Sequence, residues 1–242
     1  MENTLDNHVQ AYQGLSIYDF DNTIQLEWYP KRIVQFSGGA GSLLELGLGH
    51  GITTGVFEQH FKRHVVVDAS PAVIENFRRK FPRSKVEIAE SYFETFDTPE
   101  RFDVVVFGYI LEHVDDPVAI MKHFRRFLAP GGRMFLTVPN AEVLNRKLGH
   151  LAGLLPDMQL LSEHDLLLGH KRYYTVESLQ QDIREAGYEV RRLEGIYLKP
   201  FTTSQMMSLK LDEKVIQALC LAGIDYPELS CGILAELALP GH

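Results

Sequence analysis

Apolar residues fall in two rhythms along the chain. Short, mostly apolar runs come first in each unit: Leu43, Leu44 and Leu46; Val65-Val66-Val67; Val86 to Ala89; and Phe102 to Phe107. Arg133 to Val138, Tyr188 to Leu198 and Cys231 to Leu237 continue the series. Runs of this length bounded by turn residues read as buried strands. Between them apolar residues recur at helical spacing. Ile52 to Phe61 is one such helix, and Pro71 to Lys80 the next, with Ser70 as cap and Pro71 at the first helical position. Asp116 and Pro117 open a helix over 117–128, Thr175 caps one running to Ala186, and Gly187 ends it. Strand and helix alternate, which predicts an α/β fold with a mostly parallel sheet.

Three stretches break the alternation. Residues 1–40 precede the first strand. Met1 to Asn7 reads as frayed, and Thr23 to Phe36 as an irregular amphipathic helix in which Pro30 is the awkward residue. Ser37 to Gly41 is a glycine-rich joint. Residues 141–170 carry Leu144, Leu148, Leu151, Leu154, Leu155, Leu160 and Leu161, as one or two amphipathic helices broken at Pro156. This excursion at the carboxyl edge of a sheet predicts a helical lid; packing on the sheet edge or a homodimer contact are the alternatives. Residues 199–230 elaborate the link between the last two strands, with a helix around Lys214 to Ala222.

The stretch from Ser42 to Thr53 carries the first chemistry. Gly47, Gly49 and Gly51 follow a buried strand and precede a helix, so backbone N–H groups point into a crevice where nucleotide-like ligands bind. The next strand ends in Asp68, about 20 residues on, where a ribose hydroxyl pair would be met. A dinucleotide-dependent oxidoreductase needs Gly-x-Gly-x-x-Gly here, and Ile52 stands where the third glycine belongs.

With these motifs in order, residues 40–140 resemble the class I S-adenosylmethionine-dependent methyltransferases. The likeness rests on Glu45 to Gly51, Val66 to Ser70, Phe102 to Val106, Leu111-Glu112-His113-Val114, Leu128 to Gly132 and Leu136 to Asn140. The branch it is most similar to comprises bacterial small-molecule enzymes such as ubiquinone-type O-methyltransferases. The resemblance implies a doubly wound, seven-stranded Rossmann-like sheet forming one methyltransferase domain over 1–242, with an N-terminal helical cover over 1–40. It implies S-adenosylmethionine as cofactor and S-adenosylhomocysteine as product. Gly47, Gly49, Gly51, Asp68 and Ala69 would bind the cofactor, with Glu45 orienting the loop or the cofactor's amino group. Gly108 and Leu111 would border it. An acidic residue usually meets the adenine amine after the third strand; here Tyr92 stands near that place, flanked by Ser91 and Phe93, with Glu90 available if the register shifts. From the cover, Tyr12, Tyr18, Trp28, Tyr29 and Arg32 could line the site.

Methyl transfer needs alignment at about 3–3.5 Å and exclusion of water; a base matters when the acceptor must lose a proton. His113, after the fourth strand, and His170, where the lid returns, are the candidate bases, with His164, Arg172 and Tyr173 nearby. No metal is expected, because the histidine spacing is not that of a ligand set. The net charge of −8 and pI near 5.7 argue against nucleic acid as partner. Cys220 and Cys231 make neither a disulfide framework nor a metal site. With no apolar run near the roughly 18 residues of a span and no signal peptide, no membrane partner and a cytoplasmic location are expected. The expected activity is methyl transfer to O or N of a small-molecule metabolite; the rival is a non-catalytic cofactor-binding regulator or assembly protein.

Overall fold

Seven strands form one sheet in the computed structural model, which describes residues 17–240. They are β1 (Ser42–Leu46), β2 (Arg63–Asp68), β3 (Glu87–Glu90), β4 (Phe102–Gly108), β5 (Leu128–Pro139), β6 (Glu189–Leu198) and β7 (Ser230–Ala238). Their order is β3-β2-β1-β4-β5-β7-β6. Pairings are parallel from β3 to β5, and β7 is antiparallel to both β5 and β6. The carboxyl ends of β1, β2, β4, β5 and β6 therefore meet the amino end of β7 at one edge. The chain reverses its direction of build between β1 and β4, and a crevice opens at such a switch point.

Alternation along the strands sorts side chains to the two faces. Leu44, Leu46, Val65, Val105 and Phe107 share a cluster with Ile120, Met121 and Phe124 of α4 (Pro117–Phe124) and Leu179 and Ile183 of α7 (Val176–Glu185). Leu43, Val104, Val106 and Phe135 face the other way. They meet Tyr29 and Ile33 of α1 (Asp19–Phe36), Phe57 of α2 (Ile52–Phe57), Met206 of α8 (Thr203–Ser208) and Cys220 of α9 (Glu213–Gly223). α3 (Pro71–Lys80) adds Val73, Ile74 and Phe77 over Leu48 and Val66. The remaining helices are α5 (Leu144–Leu151) and α6 (Glu163–Leu167).

Local signals act as read. Ser70 caps α3 by accepting from Val73 N, Asp116 caps α4 through Ala119 N, and Thr175 forms a capping box with Ser178. Several boundaries differ. α2 stops at Phe57, and α4 stops at Phe124, where a 3₁₀ turn, Arg125–Phe127, leads into β5. β5 starts at Leu128, five residues before the apolar run, through an irregular pairing with β4. α8 was not anticipated; Thr202 builds a capping box with Gln205 that starts it. α1 continues through Pro30. The missing N–H is tolerated because Tyr29 and Ile33 are buried and Arg32 is clamped to Glu194 of β6 by two bonds of 2.9 and 2.8 Å. The expectations for Met1 to Asn7 and for Tyr12 lie outside the described residues.

Candidate active site

A cavity of about 790 Å³ runs along the carboxyl edge of the sheet. It extends from Asp68 and Tyr92 at the β2 and β3 end, past Gly108 and Tyr109 at β4, to Cys231 and Lys199 at β7 and β6. That volume lies within the range of small-molecule and cofactor sites.

The glycine turn forms one wall. Gly47, Gly49 and Gly51 have φ of 79°, 47° and 74°, the left-handed region that disfavours a side chain. A Cβ on Gly51 would lie 2.5 Å from Phe81, so packing also demands glycine there. Asp68 closes the turn from below: Oδ2 accepts the N–H of Leu48 and Oδ1 that of Ser70, both at 2.9 Å. Asp68, Ala69, Tyr92, Phe93 and Gly108 all border the cavity beside the glycines. A carboxylate, a bare backbone turn and an aromatic pair in one wall suit the ribose and base of a nucleoside.

Three residues expected at the cofactor lie off this lining. Glu45 is buried on the far side of the turn, where it accepts from Thr53 Oγ1 at 2.7 Å and meets His64 Nε2 at 2.9 Å. A buried carboxylate needs such partners, and this pairing anchors the first turn of α2 to β1 and β2. Leu111 is fully buried in the core. Ser91 donates its backbone N–H to Asp68 O at 3.1 Å and its hydroxyl to Tyr92 O at 3.0 Å. From the cover, Tyr18 and Tyr29 border the cavity, whereas Trp28 packs against the apolar cluster and Arg32 is held by Glu194.

Residues 141–170 do border the cavity, but of their leucines only Leu168 lines it. Leu148, Leu151, Leu154 and Leu160 are exposed. Val143, Asn145, Arg146, Ser162, His164 and Asp165 face inward. Arg146 braces this segment by donating to Met158 O and Leu160 O at 2.8 and 2.7 Å. Tyr18 stacks on His164 with ring centres 4.1 Å apart, joining the start of α1 to α6 across the mouth.

The two candidate bases come together. His113 and His170 pack edge to face at 4.8 Å, and both border the cavity. Glu112 sits with them: one of its oxygens and one nitrogen of each ring lie within 4.8 Å of one another. Among the described residues neither Glu112 oxygen has a side-chain hydrogen-bond partner, and burial pushes its pKa up to about 7 against the opposing pull of His170 and Arg172. His170 Nδ1 lies 3.2 Å from Asp165 Oδ1, close enough to pair though off the line of a straight hydrogen bond. Burial works against a charge on His170, yet Asp165 and Glu112 raise its pKa above the ordinary value. Asp165 is itself buried, but His170, Ser162 and Tyr173 hydrogen bonds hold it well below the usual carboxylate range. Sequence reading singled out neither Asp165 nor Glu112. In the structure Asp165 forms a capping box with Ser162 at the start of α6, and nothing in the local spacing shows that the same carboxylate would reach His170.

Tyr109 is a further residue without a sequence signal. It holds φ of 57° at the end of β4, a conformation uncommon outside glycine. Its N–H reaches Thr137 O at 3.0 Å and its hydroxyl donates to Gln25 Oε1 at 2.8 Å.

The comparisons with known proteins agree with this geometry. A family model described as a methyltransferase domain matches residues 25–193. A ubiquinone biosynthesis O-methyltransferase of Pseudomonas aeruginosa (strain UCBPP-PA14) is 28% identical over 200 residues, spanning 79% of this chain and 82% of that protein. The protein of the same description from Aeromonas salmonicida (strain A449) is 26% identical over 200 residues, spanning 79% and 80%. Among solved structures, N-methyltransferase NodS from Bradyrhizobium japonicum WM9 in complex with S-adenosyl-L-homocysteine superposes with TM-score 0.56 at 18% identity, over 88% and 84% of the two chains. The glycopeptide N-methyltransferase MtfA in complex with the same compound gives TM-score 0.60 at 15% identity, over 88% and 90%. The fold is shared at identities too low to carry substrate. The match over 25–193, with the glycine turn and Asp68 on one cavity wall, places the chain in the methyltransferase-domain family as a class I S-adenosylmethionine-dependent methyltransferase.

Proposed function

We propose that the chain methylates an oxygen or nitrogen of a small-molecule metabolite within this cavity. The observation that carries the reading is the continuity of the cavity from Asp68 to Lys199, with His113 and His170 between its ends. One end suits the cofactor, and the other leaves room for an acceptor. When bound, S-adenosylmethionine supplies an electrophilic methyl group and is released as S-adenosylhomocysteine. Asp68 would hold the ribose hydroxyls, the Gly47 to Gly51 turn would take the methionine part, and Tyr92 and Phe93 would border the adenine. Tyr18 with His164, and the segment around α5 and α6, cover the cavity and keep water out.

For a hydroxyl acceptor, His170 is the base. Asp165 at its Nδ1 side selects the tautomer with a free Nε2 electron pair, which takes the hydroxyl proton as the methyl arrives. Of the two candidate bases, His170 is the one with the Asp165 carboxylate at its Nδ1. His113 packs edge to face against His170 and helps to set the orientation of its ring. The net negative chain and a cavity of this size fit a small metabolite better than nucleic acid.

The test is to incubate the protein with S-adenosylmethionine and a panel of phenols, sugars and amines and to measure S-adenosylhomocysteine formed. Acceptor-dependent product in the wild type, lost by about 10²–10⁴-fold in His170→Ala, supports the reading. Cofactor binding with no product on any acceptor class would favour the non-catalytic alternative. Loss of product with EDTA and its return with a divalent cation would replace the base by an ion held among Glu112, His113 and His170.

A further inference from the structure

The end of the cavity away from Asp68 contains a second polar cluster that the proton transfer does not use. Lys199 follows β6 directly, so the strand end delivers it to the carboxyl edge. Its Nζ lies 2.6 Å from Asp21 Oδ2 on α1 and 3.2 Å from Thr203 Oγ1 at the start of α8. Its backbone carbonyl accepts the N–H of Asn145 at 3.1 Å, just inside α5. One lysine thus ties together three segments that sequence reading treated separately. All four side chains border the cavity.

The cluster is incompletely satisfied. Among the described residues, Asp21 Oδ1 and Asn145 Oδ1 are buried and have no hydrogen-bond partner, although the residues carrying them line the cavity. An ammonium has three donors, and Lys199 directs two at Asp21 and Thr203. Two acceptors in need of donors therefore stand beside a donor with one bond to spare. Buried polar groups are normally paired, so this deficit points to a missing partner.

The chemistry of that partner is constrained. A carboxylate or phosphate would meet Lys199 but also the like charge of Asp21. A protonated amine would meet Asp21 but also Lys199. An apolar group would leave both oxygens unpaired. A hydroxyl both donates and accepts, and a group bearing several hydroxyls can answer the acceptors and the ammonium together. Resting on the methyltransferase reading above, we propose that Asp21, Asn145 and Lys199 form an acceptor subsite for a hydroxyl-rich, sugar- or polyol-like group. It holds the acceptor by the end remote from the methyl, with Gln25 and Tyr109 between. The subsite sets which acceptors are held in line for transfer, and it takes no part in proton transfer.

The experiment uses the full chain saturated with S-adenosylhomocysteine. Methyl β-D-glucopyranoside and myo-inositol serve as hydroxyl-rich probes. Cyclohexanol, benzoate and benzylamine serve as probes with one hydroxyl, a negative charge and a positive charge. Binding is followed by saturation-transfer NMR and by titration. At least one hydroxyl-rich probe should bind at least tenfold more tightly than cyclohexanol and both charged probes. That preference should be lost in Asn145→Ala and in Lys199→Met, while S-adenosylhomocysteine affinity stays within about twofold of wild type. Asn145 belongs to no ion pair, so Asn145→Ala keeps the test sound if Lys199→Met does not fold. Tighter binding of benzoate or benzylamine would overturn the assignment. So would hydroxyl-rich probes that bind the wild type and Asn145→Ala equally, the result expected if buried water alone completes these groups. Failure of S-adenosylhomocysteine itself to bind would instead refute the underlying methyltransferase reading.

Discussion

The Asp68 carboxylate accepts the backbone N–H of Leu48 at 2.9 Å, so the acid ending β2 is bonded to the glycine turn that follows β1. Gly47 N adds a 2.8 Å bond to Val67 O beside it. The turn is therefore shaped by the protein before any ligand arrives. The Leu48 amide should exchange slowly with solvent in the ligand-free protein and become fast in Asp68→Asn, read by hydrogen-exchange NMR. A Leu48 amide equally slow in both proteins would show that the bond does not hold the turn.

The segment over 141–170 should behave differently. Its α5 helix has no buried residue, and its leucines are largely exposed. Few apolar contacts hold it, so it belongs to the low-stability end of the molecule. Adding S-adenosylhomocysteine should slow exchange across 141–170 and at the start of α1, where Tyr18 meets His164. Unchanged exchange in both regions would make them fixed scaffold.

Gly108 is required by contact with α1. A Cβ there would stand 2.3 Å from the hydroxyl of the fully buried Tyr29 and 3.2 Å from its Cζ. Gly108→Ala should cost about 1–3 kcal/mol in chemical denaturation. Tyr29→Phe removes the nearest clashing atom, so the double variant should lose less than the sum of the single variants. Strict additivity would mean that the strain lies elsewhere.

α1 is fastened to the sheet by a pair that is mostly withdrawn from water. The side chains of Arg32 and Glu194 are 16% and 6% exposed. Removing one partner strands the other, and Arg192 stands 3.9 Å away as a partial substitute. Arg32→Ala should therefore destabilise the fold by about 2–4 kcal/mol, at or below the usual cost for a buried pair. A loss under about 0.5 kcal/mol in urea unfolding would show that Arg192 takes over fully.

The pH dependence follows from Asp165 and His170. The base must be neutral, and Asp165 and Glu112 raise its pKa above about 6.5. Turnover on a hydroxyl acceptor should therefore rise with pH through a midpoint above that value. The same shift favours protonated His170 in the folded chain. Its contribution to stability is complete below about pH 6.5 and is lost as pH rises through the raised pKa. Asp165→Asn removes the anion, so the midpoint should move down and the plateau should fall as the ring loses its orientation. A midpoint left in place by Asp165→Asn would remove Asp165 from this role.

Much of the frame was legible from sequence because it is written in local chemistry. Ser70-Pro71, Asp116-Pro117 and Thr175 mark helix starts wherever the chain folds, and the runs at Val65 and Val104 are buried on both faces in any parallel sheet. The glycine turn and Asp68 were equally plain, being a strand end and a turn in fixed order. What stayed hidden depends on contacts between distant segments. Asp165 joins the site only because His170 folds back on it. Asp21 and Lys199 are 178 positions apart. Glu45 looked like a ligand to the cofactor because its partner His64 lies on the neighbouring strand, 19 residues away. The leucines of 141–170 suggested an inward apolar face, whereas their polar neighbours line the cavity. Periodicity there indicates a helix without saying which side meets the sheet.

Titration of S-adenosylmethionine into the protein, followed by calorimetry, tests the central claim most directly. The wild type should bind with a dissociation constant in the micromolar range, about −8 kcal/mol, and should not bind nicotinamide dinucleotides. Asp68→Asn, which is of equal size but loses the charge and one acceptor oxygen, should bind about 1.5–3 kcal/mol more weakly. Absence of binding by the wild type, or wild-type affinity in Asp68→Asn, would contradict the placement of the cofactor against the Gly47 to Gly51 turn.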